Sequence, residues 1–92
     1  MYSKVNTCCL EGLNGYVVEC ECDLANGLRS FNIVGLPDTS IKESKERVRS
    51  AIENTGIRFP VKRITINLAP ANLRKEGLQL DLAIAMAILQ SM

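Results

Sequence analysis

The chain has 92 residues, 47% of them apolar and 23% charged, with a net charge of +1. That length supplies one core without staples, and that composition excludes a disordered segment. Histidine and tryptophan are both absent, which removes Ser-His-Asp and Cys-His nucleophile systems, every histidine-ligated metal site and the best stacking side chain for single-stranded nucleic acid. The charge is unevenly placed: residues 1–38 hold two basic and five acidic side chains, residues 39–92 nine basic and five acidic. Met1-Tyr2-Ser3-Lys4 opens no signal peptide, and the longest apolar run, Leu82 to Leu89, is too short to span a membrane. A soluble cytoplasmic domain occupying residues 1–92 is expected.

The first 35 residues read as three strands, at about 3–10, 16–24 and 29–34. Asn14-Gly15 and Asn26-Gly27 are the dipeptide that favours a tight hairpin turn, so two successive hairpins are expected. In the second strand Tyr16, Val18, Cys20, Cys22 and Leu24 alternate with Val17, Glu19, Glu21 and Asp23. This period of two puts Cys20 and Cys22 in the core and the carboxylates in water. Neither Cys8-Cys9 nor Cys20-x-Cys22 has the spacing that wraps a tetrahedral zinc.

Gly35-Leu36-Pro37 interrupts the sheet, and Asp38, Thr39 and Ser40 offer helix caps, with Ser40-x-x-Glu43 matching a capping box. The helix is expected to end near Asn54 with Gly56 as its stop, to bury Ile41, Ser44, Val48, Ala51 and Ile52, and to pair Glu43 with Arg47. Arg63 to Leu68 alternates as a fourth strand with Ile64, Ile66 and Leu68 on one side. After a polar loop, residues 80–90 are apolar almost all round, the pattern of a helix covered on more than one side and of a piece of a longer chain. The predicted fold is α+β: a two-layer sandwich of order β-β-β-α-β-α, one mostly antiparallel four-stranded sheet with two helices on one face.

Chemistry is scarce. No glycine precedes a lysine and no two glycines stand two apart, so neither phosphate-cradling loop is present. Glu19 and Glu21 form a solvated row, without the contrasting environments that acid/base catalysis needs. No catalytic, cofactor-binding or metal-ligating residue is expected. Basic side chains gather at Arg58, Lys62 and Arg63 before and at the start of the fourth strand, and at Arg74 and Lys75 in the loop after it. With Arg47 and Arg49 these are candidates for contact with nucleic-acid phosphates.

Three runs carry a family resemblance: Asn26-Gly-Leu-Arg-Ser-Phe-Asn-Ile-Val-Gly-Leu-Pro37, Lys42-Glu-Ser-Lys-Glu-Arg-Val-Arg-Ser-Ala-Ile52 and Arg63-Ile-Thr-Ile-Asn-Leu-Ala-Pro-Ala71. Lys75-Glu-Gly77 and Asp81-Leu-Ala-Ile-Ala85 extend it over nearly the whole chain. The chain resembles the N-terminal domain of the magnesium-chelatase-like AAA ATPases of ComM/YifB type. The resemblance implies a fold shared with the Lon protease catalytic domain and a ribosomal-protein domain, with a left-handed βαβ crossover. It also implies a downstream AAA module using ATP and magnesium, hexamers of the full-length protein, and DNA branch migration in transformation. By the same resemblance Gln79 occupies the position of the Lon nucleophilic serine, and an amide cannot serve as one. The expectation is therefore a non-catalytic accessory domain contacting the AAA module, other copies or DNA. A self-association module without DNA contact is the alternative, ahead of a Ser-Lys peptidase or a porphyrin chelatase subunit.

Overall fold

A computed structural model describes residues 2–11, 14–36, 38–69 and 78–92. It contains β1 (Tyr2–Glu11), β2 (Asn14–Ala25), β3 (Ser30–Val34), α1 (Asp38–Asn54), β4 (Arg63–Ala69) and α2 (Leu78–Ser91), in the predicted order. The sheet runs β1-β2-β4-β3; the first two pairings are antiparallel, and β3 pairs with β4 in parallel.

Only the first expected hairpin forms, and not around Asn14-Gly15: both residues belong to β2, opposite Glu11 and Leu10, so the dipeptide extends the ladder instead of making its turn. The second does not, because β4 lies between β2 and β3, with Ala25 and Ser30 flanking Arg63 on its two sides. A type I′ turn needs positive φ at both central residues. Here Gly27 has φ +146° while Asn26 is not positive, so the dipeptide serves a wider link. The inserted strand is apolar on its inner side, and the central position buries that side most completely: Ile64, Ile66 and Leu68 are all buried.

Every strand turns one side to the helices. Val18, Cys20, Cys22 and Leu24 of β2 are buried as their alternation predicts, while Val17 and Asp23 are exposed and Glu19 and Glu21 half-exposed. On the outer side Lys4 meets Glu19 at 3.6 Å. From α1 come Ser44, Val48 and Ile52, with Ile41 partly covered. Ala51 is exposed, contrary to expectation, because the contact is a narrow stripe through 41, 44, 48 and 52 and residue 51 falls on its flank. The helix also takes in Asp38, so Ser40 sits inside the first turn and does not open a capping box there. Gly56 ends α1 as expected: at φ +86° its N–H donates to the Glu53 carbonyl at 3.0 Å, and the Thr55 hydroxyl donates to Ile52 at 2.6 Å.

Helix α2 buries Leu80, Ala83, Ile84, Ala85, Ala87 and Ile88, more than one side, and leaves Leu82 and Met86 exposed. Its last turn is tied down by buried hydroxyls. Ser3 of β1 donates to the Ala87 carbonyl at 2.6 Å, and Ser91 lies 2.8 Å from Ser3 and 3.5 Å from the Cys22 carbonyl. No helix among the described residues is long and apolar enough to cross a membrane.

The paired thiols have a pH consequence. Burial, then Cys22 and Glu21, push Cys20 from 9.0 to about 12, and burial raises Cys22 against the pull of the Ser91 hydroxyl. Above pH 9 the unfolded chain releases these protons and the folded one keeps them, so stability is full below 9 and falls as pH rises toward about 12. The slope is at most about 1.4 kcal/mol per pH unit per thiol. Urea unfolding at pH 7, 9 and 10.5 should show this loss, and Cys20→Ala should flatten it relative to the parent. Equal slopes in both proteins would refute the assignment.

Candidate nucleic-acid interface

Arg58, Lys62 and Arg63 are all exposed, on the segment that leads into β4 and at its first residue. None has a carboxylate within salt-bridge distance among the described residues. The segment is pinned by the Ser30 N–H, which donates to the Lys62 carbonyl at 3.4 Å. Ala69 ends β4 about 20 Å further on, taking about 3.3 Å per residue over its length. Arg74 and Lys75, predicted to join the same surface, follow that other end and lie outside the described residues.

Arg47, also proposed for this surface, is engaged elsewhere. It pairs with Glu43 at 3.8 Å, as its spacing predicts, but its main partner is Asp81 in the first turn of α2. Arg47 Nε donates to Asp81 Oδ2 at 2.5 Å, and the buried Ser44 hydroxyl donates to Oδ1 at 2.9 Å. The hydrogen bond to Asp81 holds the guanidinium more firmly protonated than usual. This clamp joins the two helices, and nothing in the local pattern of either helix announces it.

Arg49 occupies a different setting. Its guanidinium lies 4.9 Å from the centre of the Phe59 ring, and Lys45 Nζ lies 6.0 Å from that of Phe31. The two rings are tilted neighbours with centroids 5.5 Å apart. Phe31, Lys42, Lys45, Glu46 and Arg49 line a groove of about 270 Å³ between α1 and the edge strand β3. A second recess of about 190 Å³ shares Phe31 and Arg49 and adds Arg29, Ser30, Phe59 and Pro60. Sequence reasoning missed Arg29, Lys42 and Lys45. The available signal was the spacing of Lys42, Lys45 and Arg49 at i, i+3 and i+7, one face of a helix.

Among the described residues the arrangement offers cations and apolar surface. The buried serines Ser3, Ser44 and Ser91 are each hydrogen-bonded within the fold, and burial keeps the Cys20 thiol protonated. A family profile described as subunit ChlI of Mg-chelatase matches residues 20–92. The chain belongs to this family. Among its relatives, protein YifB of Salmonella typhimurium is 52% identical over 85 residues, which are 92% of this chain and 17% of the relative. YifB of Escherichia coli is 49% identical over 87 residues, 95% of this chain and 17% of the relative. The competence protein ComM of Haemophilus influenzae is 50% identical over 78 residues, 85% of this chain and 15% of the relative. This ChlI-family chain thus spans about one sixth of the length of the relatives it matches, and those proteins contain further chain beyond the part described.

Proposed function

We propose that this chain is the non-catalytic N-terminal accessory domain of a ComM/YifB-type AAA ATPase that couples ATP hydrolysis to DNA remodelling, and that it contacts DNA through Arg58, Lys62 and Arg63, with Arg74 and Lys75. The observation that supports this reading is that three cations on the segment entering β4 are exposed and without carboxylate partners among the described residues. Charges held in that state lose little on meeting phosphates and release condensed counterions from DNA. The ComM relative, named for competence, supports a DNA context. On this reading ATP and magnesium belong to the downstream module, and hexamers to the full-length protein.

The expected result is weak binding of a labelled DNA duplex at low salt that declines with added salt. Arg63→Glu combined with Lys75→Glu should lower the affinity at least tenfold and flatten the salt slope by about 0.9 per lost contact. If the parent chain binds no DNA at low salt, direct contact is refuted.

One observation favours self-association as a second reading: Leu82 and Met86 are 65% and 43% exposed on α2, beside Val5 of the edge strand β1. Sedimentation equilibrium decides this, and a monomer at micromolar concentration counts against it.

A further inference from the structure

We propose that the groove between α1 and β3 is a docking site for an acidic partner peptide carrying an apolar anchor residue. The lining includes none of the three cations assigned to DNA above, although Ser30 and Phe59 of the second recess adjoin them, and the proposal does not rest on that assignment.

Four cations surround the two recesses: Lys42, Lys45, Arg49 and Arg29, against a single acid, Glu46. No carboxylate lies within salt-bridge distance of any of the four among the described residues. Charge complementarity therefore calls for an anionic occupant. The floor narrows the choice further. Phe31 is half-buried, serves both recesses and rests against the buried Phe59, and the stems of Lys45 and Arg49 extend the apolar wall. Phosphate oxygens gain nothing from an apolar floor. A volume of about 270 Å³ admits one large aliphatic or aromatic side chain, and the cations on the rim then meet carboxylates on either side of it. Apolar anchoring combined with acidic flanks describes a peptide better than a nucleic acid.

The site is also prepared in advance. Lys45 and Arg49 lie over aromatic rings, which limits the conformations that binding must still restrict. Both belong to one helix face, and Phe31 is held in register by its pairing with Ile64. The floor and one wall of the groove are thus set by the sheet and by α1 before a ligand arrives.

The test is fluorescence anisotropy of a labelled eight-residue peptide, six Asp residues flanking a central Phe-Leu pair, titrated with the chain in 50 mM salt. Micromolar binding is expected. It should weaken at least tenfold when Phe-Leu becomes Ser-Ser, and at least tenfold in Lys42→Glu, whose exposed side chain leaves the fold intact by circular dichroism. Lys45→Glu with Arg49→Glu should abolish it, and Lys62→Glu should leave it within twofold. Absence of binding by the parent chain overturns the proposal, as does equal affinity for the Ser-Ser peptide, which would mean charge attraction alone. A labelled single-stranded oligonucleotide that binds more tightly and is displaced by Lys42→Glu would reassign the groove to nucleic acid. DNA binding that is lost in Arg63→Glu but unchanged in Lys42→Glu leaves the two surfaces independent.

Discussion

Replacing Gly35 by alanine is expected to abolish cooperative unfolding of the chain. Gly35 has φ +107°, a conformation that side chains of L-residues rarely adopt, and costs of that kind run to about 1–3 kcal/mol. The second cost is larger. A Cβ on Gly35 would fall well inside van der Waals contact with the Leu68 carbonyl oxygen and 3.0 Å from Leu68 Cβ. Neither partner can yield cheaply, because Val34 pairs with Asn67 in the parallel ladder and Leu68 is buried in the core. Relief requires β3 and β4 to part, which takes the α1 connection with them. Against a net stability of roughly 5–14 kcal/mol for a domain of this size, the combined cost leaves little folded population. Gly56→Ala is the matched control: its φ is +86°, but nothing lies within 4 Å of the added Cβ. That variant should stay folded and lose about 1 kcal/mol. Thermal unfolding followed by circular dichroism separates the two, and a Gly35→Ala protein melting within a few degrees of the parent would contradict the argument.

Asp81→Ala is expected to cost about 3 kcal/mol and to lower Tm by more than 10 °C, taking about 4–8 °C per kcal/mol for a domain of this size. The carboxylate is 13% exposed and accepts from Ser44 and Arg47 together. Hydrogen bonds to a charged group contribute about 1.5–3 kcal/mol, and the truncated site would leave the buried Ser44 hydroxyl without an acceptor. The Arg47 end is 47% exposed and finds water, so Arg47→Ala should cost less than about 1 kcal/mol. Asp81→Asn keeps an acceptor for Ser44 and should fall between the two. A double-mutant cycle on Asp81 and Ser44 should report coupling of about 1–2 kcal/mol. Additive effects would mean that the Ser44–Asp81 hydrogen bond contributes nothing to the clamp.

These two positions mark where local patterns stop being informative. Alternation in β2 and β4 was sufficient to assign the inner and outer sides, because a strand covered on one side only must alternate. The β1-β2 pairing, the Gly56 stop and the Glu43–Arg47 pair were legible because each involves residues near in sequence, although Asn14-Gly15, expected as the hairpin turn, lies within β2. Ala51 was misassigned because helical spacing permits residues at the margin of a stripe, and only the width of the partner surface decides which of them it covers.

Length, composition and alternation by themselves determined the order β-β-β-α-β-α and the core positions of Cys20, Cys22, Ile64, Ile66 and Leu68, while the family was legible through the resemblance of whole runs such as residues 26–37 and 63–71. Tertiary structure alone decided that β4 enters between β2 and β3. That choice turns Asn26-Gly27 from a hairpin turn into a link, and it makes β3 an edge strand beside α1. The basic groove follows from it, since Arg29 lies 13 positions before Lys42 in the chain and meets its helix partners only through that edge. Strand order depends on which apolar surfaces are most fully covered when all elements pack at once, a global balance to which no single segment holds the answer.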